Sequence, residues 1–244
     1  MNRARSALRK AHPLGVAALV SLLAGLLGRL TPLAHGATIV AVVFLSFTYW
    51  LCLSGDDAKS YGLSLGGVLD RAPIDPARLV EDSSKALGWS LAVSAIVLPP
   101  FVWGFARWYE PDLDFSLARV GAAFDASTGG TLLDLCLGHL LVIALPEEAF
   151  FRGYVQSSLD ERWGTPHNLF GAQVGWGLVA TSVVFALGHL LAVPYPARLA
   201  VFFPSLLFGW LRNRTGGVGA SILFHGTCNV LAAVLAAGYG FVTP

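Results

Sequence analysis

Charged residues are scarce in this sequence, and their scarcity limits what the protein can be. Only 13% of its 244 residues are Asp, Glu, Lys or Arg, whereas an average soluble domain has ~25%. Hydrophobic residues make up 55% of the chain, and the mean hydropathy is +0.64. These values exclude an ordinary soluble domain. They indicate an all-α protein that crosses the lipid bilayer several times, because helices satisfy their own backbone hydrogen bonds in hydrocarbon.

Other absences exclude further classes. A net charge of +1 provides no strongly basic surface, so we expect no nucleic-acid partner. The three cysteines, Cys52, Cys136 and Cys228, lie within apolar runs and form no CxxC pair, so we interpret them as small core residues. The HExxH motif of many zinc hydrolases is also missing.

Apolar runs long enough to cross a membrane are plentiful. They predict a bundle of about seven to eight spans of ~20 residues each. The seven clearest runs are at 14–28, 37–53, 86–105, 131–160, 171–193, 197–210 and 218–240. Four basic residues precede the first run, which also resembles a signal peptide, but we favour a retained span. Pro99 and Pro100 are expected to kink or break the third span.

The predicted organisation is one membrane domain with two parts. Residues 1–130 hold the N-terminal helices and a polar cytoplasmic loop at 54–85, and residues 131–240 form the core that carries the candidate site. The N-terminal tail and the loops at 54–85, 152–170 and 212–217 hold 12 of the 16 Lys and Arg residues. Because basic loops stay in the cytoplasm, we predict a cytoplasmic N-terminus. The compact, arginine-rich chain suggests a bacterial inner (plasma) membrane.

Three charged residues interrupt the apolar run ALPEEAFFRGYVQ at 144–156. A charge at membrane depth costs at least ~2.5–3.5 kcal/mol on insertion scales, so buried charges there indicate a functional site. Glu148 and Arg152 are four residues apart and are expected to form an ion pair on one helix face. Glu147 points about 100° away from that face, so it stays outside the pair and is the candidate catalytic residue.

Three later apolar helices carry polar residues at a spacing of four. They are FALGH at 185–189, FGWLR at 208–212 and HGTCN at 225–229. This spacing places Phe185 beside His189 and His225 beside Asn229 on a common helix face. Taken alone, such a histidine or asparagine is more often a satisfied core residue, and Arg212 is most simply an anchor at the membrane surface.

Taken together, these residues suit a hydrolytic site. Glu147, a stronger base in apolar surroundings, would hold a water molecule with His189 and take its proton during attack on a carbonyl. His225 and Asn229 would stabilise the oxyanion. The same side chains also allow a zinc site with Glu147, His189 and His225 as ligands.

The four blocks resemble, in order, the EExxxR, FxxxH, FxxxR and HxxxN/D motifs of the CPBP (Abi) intramembrane proteases, which include CAAX prenyl endopeptidases of the Rce1 type. The resemblance covers about residues 131–235. It implies a helical membrane core around a catalytic cavity and a glutamic-type endopeptidase without a cofactor. It also implies a membrane-anchored substrate that is cut near its C-terminus. Glu147, His189, His225 and Asn229 correspond to the catalytic residues, with Glu148, Arg152, Phe185 and Arg212 in support.

Three points stay open at this level: the subgroup, the function and the depth of the site. The stretch from Glu147 to Gly164 is also similar to myxosortase-like bacterial members that trim C-terminal sorting signals. A non-catalytic scaffold or immunity factor with the same polar network is the main alternative, and a proton-coupled transporter is a weaker one.

On straight single-span helices, Glu147 and His189 would differ in depth by roughly 10–20 Å. The site therefore requires that helix four extend or that helix five begin in the inner interface.

Overall fold

The computed structural model describes residues 11–53, 58–69, 73–109, 113–125 and 130–241. Its first two helices, α1 (Pro13–Leu30) and α2 (Leu33–Thr48), pack against each other as a hairpin. A π-helical turn, Tyr49–Leu53, continues α2. His12 caps α1 by accepting from the N–H of Leu14. The four basic residues of the predicted N-terminal tail lie outside the described residues.

The third span is longer than predicted. Helix α3 (Pro76–Tyr109) begins within the predicted polar loop and continues through Pro99 and Pro100, so a break at these prolines is wrong, whereas a kink stays a prediction. The short helix α4 (Leu117–Ala123) follows and is capped by Ser116. The described loop residues 58–69 instead form turns that pack near the start of the last helix, where the N–H of Val218 donates to the carbonyl of Gly62.

The fourth span, α5, is one long helix over residues 132–163. It alternates between α and π geometry, in the segments Leu132–Leu137, Gly138–Ala144 (π), Leu145–Glu148, Ala149–Gln156 (π) and Ser157–Trp163. Thr131 and Asp134 form a reciprocal capping box that fixes its first turn. At 32 residues, α5 exceeds the ~20 residues that cross a bilayer, so it extends beyond a single span.

A small hairpin occupies the segment where the fifth span was predicted to begin. Strands β1 (His167–Leu169) and β2 (Ala172–Val174) pair antiparallel. The turn residues Phe170 and Gly171 have φ of 48° and 80°, the geometry that two-residue hairpin turns favour. Helix α6 (Trp176–Ala192) therefore starts five residues later than predicted.

The remaining elements complete the bundle. A 3₁₀ segment (Pro196–Val201) leads into α7 (Phe202–Thr215), and α8 (Gly219–Gly238) follows after a glycine turn. Helix α8 contacts α3, α5 and α7, and α6 contacts α1, α5 and α7. The core between them is rich in buried phenylalanines: Phe150, Phe151, Phe185, Phe208 and Phe224.

The outer surface of the bundle is apolar, as a lipid-facing surface requires. Large hydrophobic side chains such as Leu91, Ile96 and Leu133 are exposed. Four helical segments are long and apolar enough to cross a membrane, namely Pro13–Leu30, His35–Cys52, Pro76–Tyr109 and Gly219–Gly238, and Trp176–Ala192 is a shorter apolar helix. The prediction of an all-α membrane bundle is confirmed, and the hairpin is a local exception to it.

Candidate active site

The consecutive carboxylates Glu147 and Glu148 lie near the middle of α5, between its two π-helical segments. Pro146 lacks the N–H that an α-helix would use at this point, and π-helical turns absorb such interruptions, often at functional sites. The N–H of Leu145 instead donates to the carbonyl of Leu140, five residues earlier. The locally widened helix thus directs two neighbouring carboxylates to different partners.

The structure brings Glu147 and His189 together. Glu147 lies 16 residues before Trp163, where α5 ends, and His189 lies 13 residues after Trp176, where α6 begins. Because the two helices are joined at those ends, three residues of difference correspond to only ~4.5 Å along the helix axes. The Oε2 atom of Glu147 lies 4.0 Å from Nε2 of His189. The depth mismatch expected for straight single-span helices is absent, because α5 is longer and α6 starts later.

His225 approaches the same oxygen from α8. Its Nε2 atom lies 3.9 Å from Oε2 of Glu147. The Glu147 side chain is 14% exposed, and its Oε2 atom makes no hydrogen bond within the described residues. Both histidines are too distant for a direct hydrogen bond to Glu147. Two imidazole nitrogens and one carboxylate oxygen therefore converge without bonding one another.

Backbone contacts fix the tautomer of His189. Its Nδ1 atom lies 3.0 Å from the carbonyl oxygen of Phe185, and a carbonyl only accepts, so Nδ1 carries the proton. The Phe185 ring packs beside the imidazole with centroids 4.5 Å apart. In the neutral form, Nε2 then presents a lone pair toward Glu147.

Glu148 and Phe208 position the His225 ring. The Nδ1 atom of His225 lies 2.8 Å from Oε1 of Glu148, which is fully buried. The Phe208 ring stacks on the imidazole at 4.6 Å between centroids and 14° between planes. These two contacts hold the ring in the orientation that points Nε2 toward Glu147.

Arg152 connects these parts in the centre of the protein. It is fully buried, and its Nη1 donates to Oε1 of Glu148 at 3.0 Å. Its Nη2 donates to both the carbonyl and the hydroxyl oxygen of Ser205. Its guanidinium lies over the rings of Phe185 and Phe208, 4.4 Å and 5.1 Å from their centroids. The ion pair predicted between Glu148 and Arg152 is present, and it joins α5 to α6 and α7.

Residues 129–231 match the family described as Type II CAAX prenyl endopeptidase Rce1-like. The chain carries an Rce1-like domain. The CPBP family predicted from the four motifs is thereby confirmed for this segment, which includes every motif residue. The family consists of membrane endopeptidases, whose substrates are membrane-anchored proteins in a lipid environment. No curated protein and no solved structure matches the chain.

Two other predicted site residues of the Rce1-like domain make no bond to Glu147, His189 or His225. Asn229 follows His225 by one turn of α8, is partly exposed, and its side-chain amide makes no hydrogen bond within the described residues. Arg212 does not contact the carboxylates or the histidines. It donates instead to the hydroxyl of Ser157 at 2.6 Å and to the amide oxygen of Asn213 at 2.9 Å.

Arg212 belongs to a second polar network, which lies where the C-terminal end of α5 meets the hairpin. The buried Gln156 donates to the carbonyl of Gly209 and to Asn213, which donates in turn to Asp160. Burial raises the pKa of Asp160, whereas the hydrogen bond from Asn213 and the charge of Arg212 lower it. This network fixes the end of α5 against α7 and borders a cavity of about 1000 Å³.

Sequence reasoning missed two residues that position the site. Ser205 receives two hydrogen bonds from Arg152, and Phe208 stacks on His225 and on the guanidinium of Arg152. Phe208 opens the FGWLR block, so the motif contained a signal for it. Ser205 precedes that block by three residues and had no sequence signal.

The donor set of a zinc site is present, but the spacing is wider than zinc requires. Both imidazoles place Nδ1 on an oxygen, the arrangement that orients zinc-bound histidines. Two ligands of one tetrahedral zinc, with bonds of ~2.0–2.1 Å, lie about 3.4 Å apart, whereas Glu147 Oε2 lies 3.9 Å and 4.0 Å from the two nitrogens. Within the described ranges, no group of three His, Cys, Asp or Glu side chains has the geometry of a metal site.

Proposed function

We propose that the protein is a glutamic-type intramembrane endopeptidase that hydrolyses a peptide bond near the C-terminus of a membrane-anchored protein. The observation that carries the proposal is the approach of two imidazole nitrogens to within 4.0 Å of one buried, unbonded carboxylate oxygen of Glu147. A gap of this size between a base and an acceptor suits a water molecule that hydrogen-bonds to both.

Glu147 and His189 both position that water, and Glu147 also takes its proton. The water donates one hydrogen bond to Glu147 and one to the Nε2 lone pair of His189, which leaves its own lone pair free for the scissile carbonyl carbon. As the oxygen–carbon bond forms, Glu147 takes a proton from the water. Glu147 then passes that proton to the leaving amine when the carbon–nitrogen bond breaks.

His225 and Asn229 stabilise the negative charge that develops on the carbonyl oxygen. His225 donates from Nδ1 to Glu148 and, with a proton on Nε2 as well, donates from Nε2 to the oxyanion. Asn229 supplies the second donor from its amide, which is free of other hydrogen bonds in the described chain. Glu148, Arg152 and Phe185 hold the donors in place.

The basic residues suggest how the protein lies in the membrane. Lys59, Arg78, Arg162, Arg212 and Arg214 belong to loops or helix ends at the hairpin end of the bundle. This end corresponds to the cytoplasmic side. The N-terminus is then cytoplasmic, and we place the protein in the bacterial inner membrane. Removal of sorting signals, as in the myxosortase-like subgroup, stays a prediction.

The decisive experiment measures cleavage of membrane-anchored C-terminal peptides by detergent-purified protein that has been stripped of metal. Glu147→Gln and His189→Ala are compared with wild type, and Glu81→Gln, on the exposed surface of α3, serves as the matched control. We expect cleavage by wild type and Glu81→Gln, and none by the two site variants. Cleavage by Glu147→Gln at the wild-type rate would overturn the mechanism.

The zinc-dependent alternative has a separate outcome. If stripped protein is inactive and added zinc restores cleavage, Glu147, His189 and His225 are ligands, and the proposed role of Glu147 is wrong. If chelation leaves the rate unchanged, the glutamate mechanism stands.

A non-catalytic scaffold is the second candidate. It is favoured by the buried network of Glu148, Arg152 and Ser205, whose hydrogen bonds do not involve Glu147. In that case Glu147→Gln functions as well as wild type in cells, whereas a break in the Glu148–Arg152 pair unfolds the protein.

A further inference from the structure

A cavity of about 400 Å³ leads away from Glu147 and His189 between α1, α2, α5 and α6. Its size lies within the range of ligand-binding pockets. Small residues such as Ala24, Gly25 and Gly188 line its walls, and they leave room for bulky apolar groups. The cavity is therefore suited to an apolar segment whose scissile bond reaches Glu147.

Besides Glu147 and His189, the described lining of this cavity contains two polar side chains, Ser21 and Arg198. Ser21 is 7% exposed, and its buried hydroxyl makes no hydrogen bond among the described residues. Arg198, in the 3₁₀ segment, also lines the cavity, is exposed, and its side chain likewise has no bonding partner within the described chain. One hydroxyl and one cation of the lining therefore remain available to a substrate.

The other arginines at this end of the bundle are engaged elsewhere. Arg29 donates to the carbonyls of Leu191 and Ala192, and so holds the last turn of α6. Arg119 donates to the carbonyl of Gly238, and Arg107 lies over the Trp103 ring. Arg198 differs from them because it faces the cavity that contains the carboxylate and histidine of the site.

The cavity lies at the end of the bundle opposite the basic loops. Its lining includes residues at the end of α6 and Arg198 of the 3₁₀ segment, whereas the basic loops lie at the hairpin end. Under the proposed orientation this is the non-cytoplasmic end. The geometry offers a path by which an extended segment reaches Glu147 from that side.

We propose that Arg198 is a substrate-binding residue that binds a carboxylate of the substrate while the adjoining apolar residues fill the cavity. This inference rests on the proposed protease function. A guanidinium recognises a carboxylate through two parallel hydrogen bonds. The carboxylate comes either from the C-terminus of the substrate or from an acidic side chain near the scissile bond. The bound segment approaches from the non-cytoplasmic side.

Binding is measured in the Glu147→Gln background, so that affinity is separated from turnover. Fluorescent membrane peptides are compared in pairs: a free C-terminus against a C-terminal amide, and Asp against Asn next to the scissile bond. We expect Arg198→Gln to weaken binding of the recognised carboxylate peptide by about tenfold and to leave its neutral counterpart unchanged. Arg198→Lys should restore part of the affinity. Arg107→Gln, the control at the same end but outside the cavity, should change neither.

In the active protein, Arg198→Gln should raise KM about tenfold on the same peptide with kcat unchanged. Equal affinity of wild type and Arg198→Gln for every peptide would overturn the inference while leaving the protease proposal intact. An equal loss for charged and neutral peptides would overturn it as well, since it would mean that Arg198 serves the fold or binds lipid. If wild type cleaves no peptide, the proposed function fails and this inference fails with it.

Discussion

The Nδ1 atom of His225 lies 2.8 Å from Oε1 of Glu148, the same oxygen that accepts from Nη1 of Arg152 at 3.0 Å. One buried carboxylate oxygen thus orients a candidate catalytic histidine and compensates a buried cation. The supporting pair and the reactive residues cannot vary independently. A substitution in the Glu148–Arg152 pair is therefore expected to change both the stability of the protein and the position of His225.

Loss of the Arg152 guanidinium should destabilise the protein strongly. Arg152→Leu leaves the fully buried Glu148 without its cation, and breaking a buried pair in this way costs about 3–5 kcal/mol. The midpoint of unfolding in detergent measures the effect. Arg107→Leu, on the exposed end of α3, is the control and should stay within about 0.5 kcal/mol of wild type. Similar midpoints for both variants would show that the buried pair adds nothing to stability.

Phe208 should matter for catalysis beyond its role in packing. Phe208→Ala removes a buried ring and should cost about 3–5 kcal/mol. Phe208→Leu keeps much of the apolar volume but loses the parallel stack on His225. We expect the leucine variant to fold and to show a lower kcat. Wild-type kcat in Phe208→Leu would mean that Glu148 alone positions the imidazole.

The contact between α5 and α7 should not tolerate a side chain at Gly209. A Cβ at this position would collide with Oε1 of Gln156 and Cδ1 of Leu178. We expect Gly209→Ala to destabilise the protein by about 1–3 kcal/mol. In Gly104→Ala the added Cβ meets nothing within 4 Å, and that substitution should stabilise α3 by about 0.4–1 kcal/mol. Thermal unfolding of the two variants tests both signs; a neutral Gly209→Ala would mean that the helices separate easily.

The stability contributed by Asp160 should fall as pH rises. Asp160 lies at the end of α5, outside the candidate spans, and burial raises its pKa above the ordinary value of 3.8. The folded state therefore binds this proton more tightly than the unfolded state. The resulting stabilisation is complete below pH 3.8 and is lost as pH rises through the folded pKa. We expect wild type to lose stability relative to Asp160→Asn over that interval.

The measurement is the difference in unfolding midpoint between wild type and Asp160→Asn across a pH series, because other carboxylates then cancel. A difference that is constant with pH would show that Asn213 and Arg212 fully offset the effect of burial on the pKa of Asp160. If wild type instead gains stability relative to Asp160→Asn as pH rises, Asn213 and Arg212 lower the pKa of Asp160 by more than burial raises it.

The residue spacing predicted the local part of the site, and the tertiary part needed the structure. The separation of four between Glu148 and Arg152 lies within one helix, where geometry fixes the contact. Ser205 and Phe208 meet Arg152 across more than 50 residues of chain, and no periodicity encodes such a contact. The hairpin was missed because the apolar run at 171–193 was interpreted as one continuous helix. Gly175 permits the approach of the Gly164 carbonyl.

Assembly order follows from the position of His225 on α8. The ribosome synthesises this helix after α5, α6 and α7, and Glu148 has no imidazole to orient until α8 packs against them. A partly inserted chain would therefore hold the carboxylates and the first histidine without the second. We expect hydrolytic competence to arise only when the last helix joins the bundle, which protects neighbouring membrane proteins while the enzyme is being made.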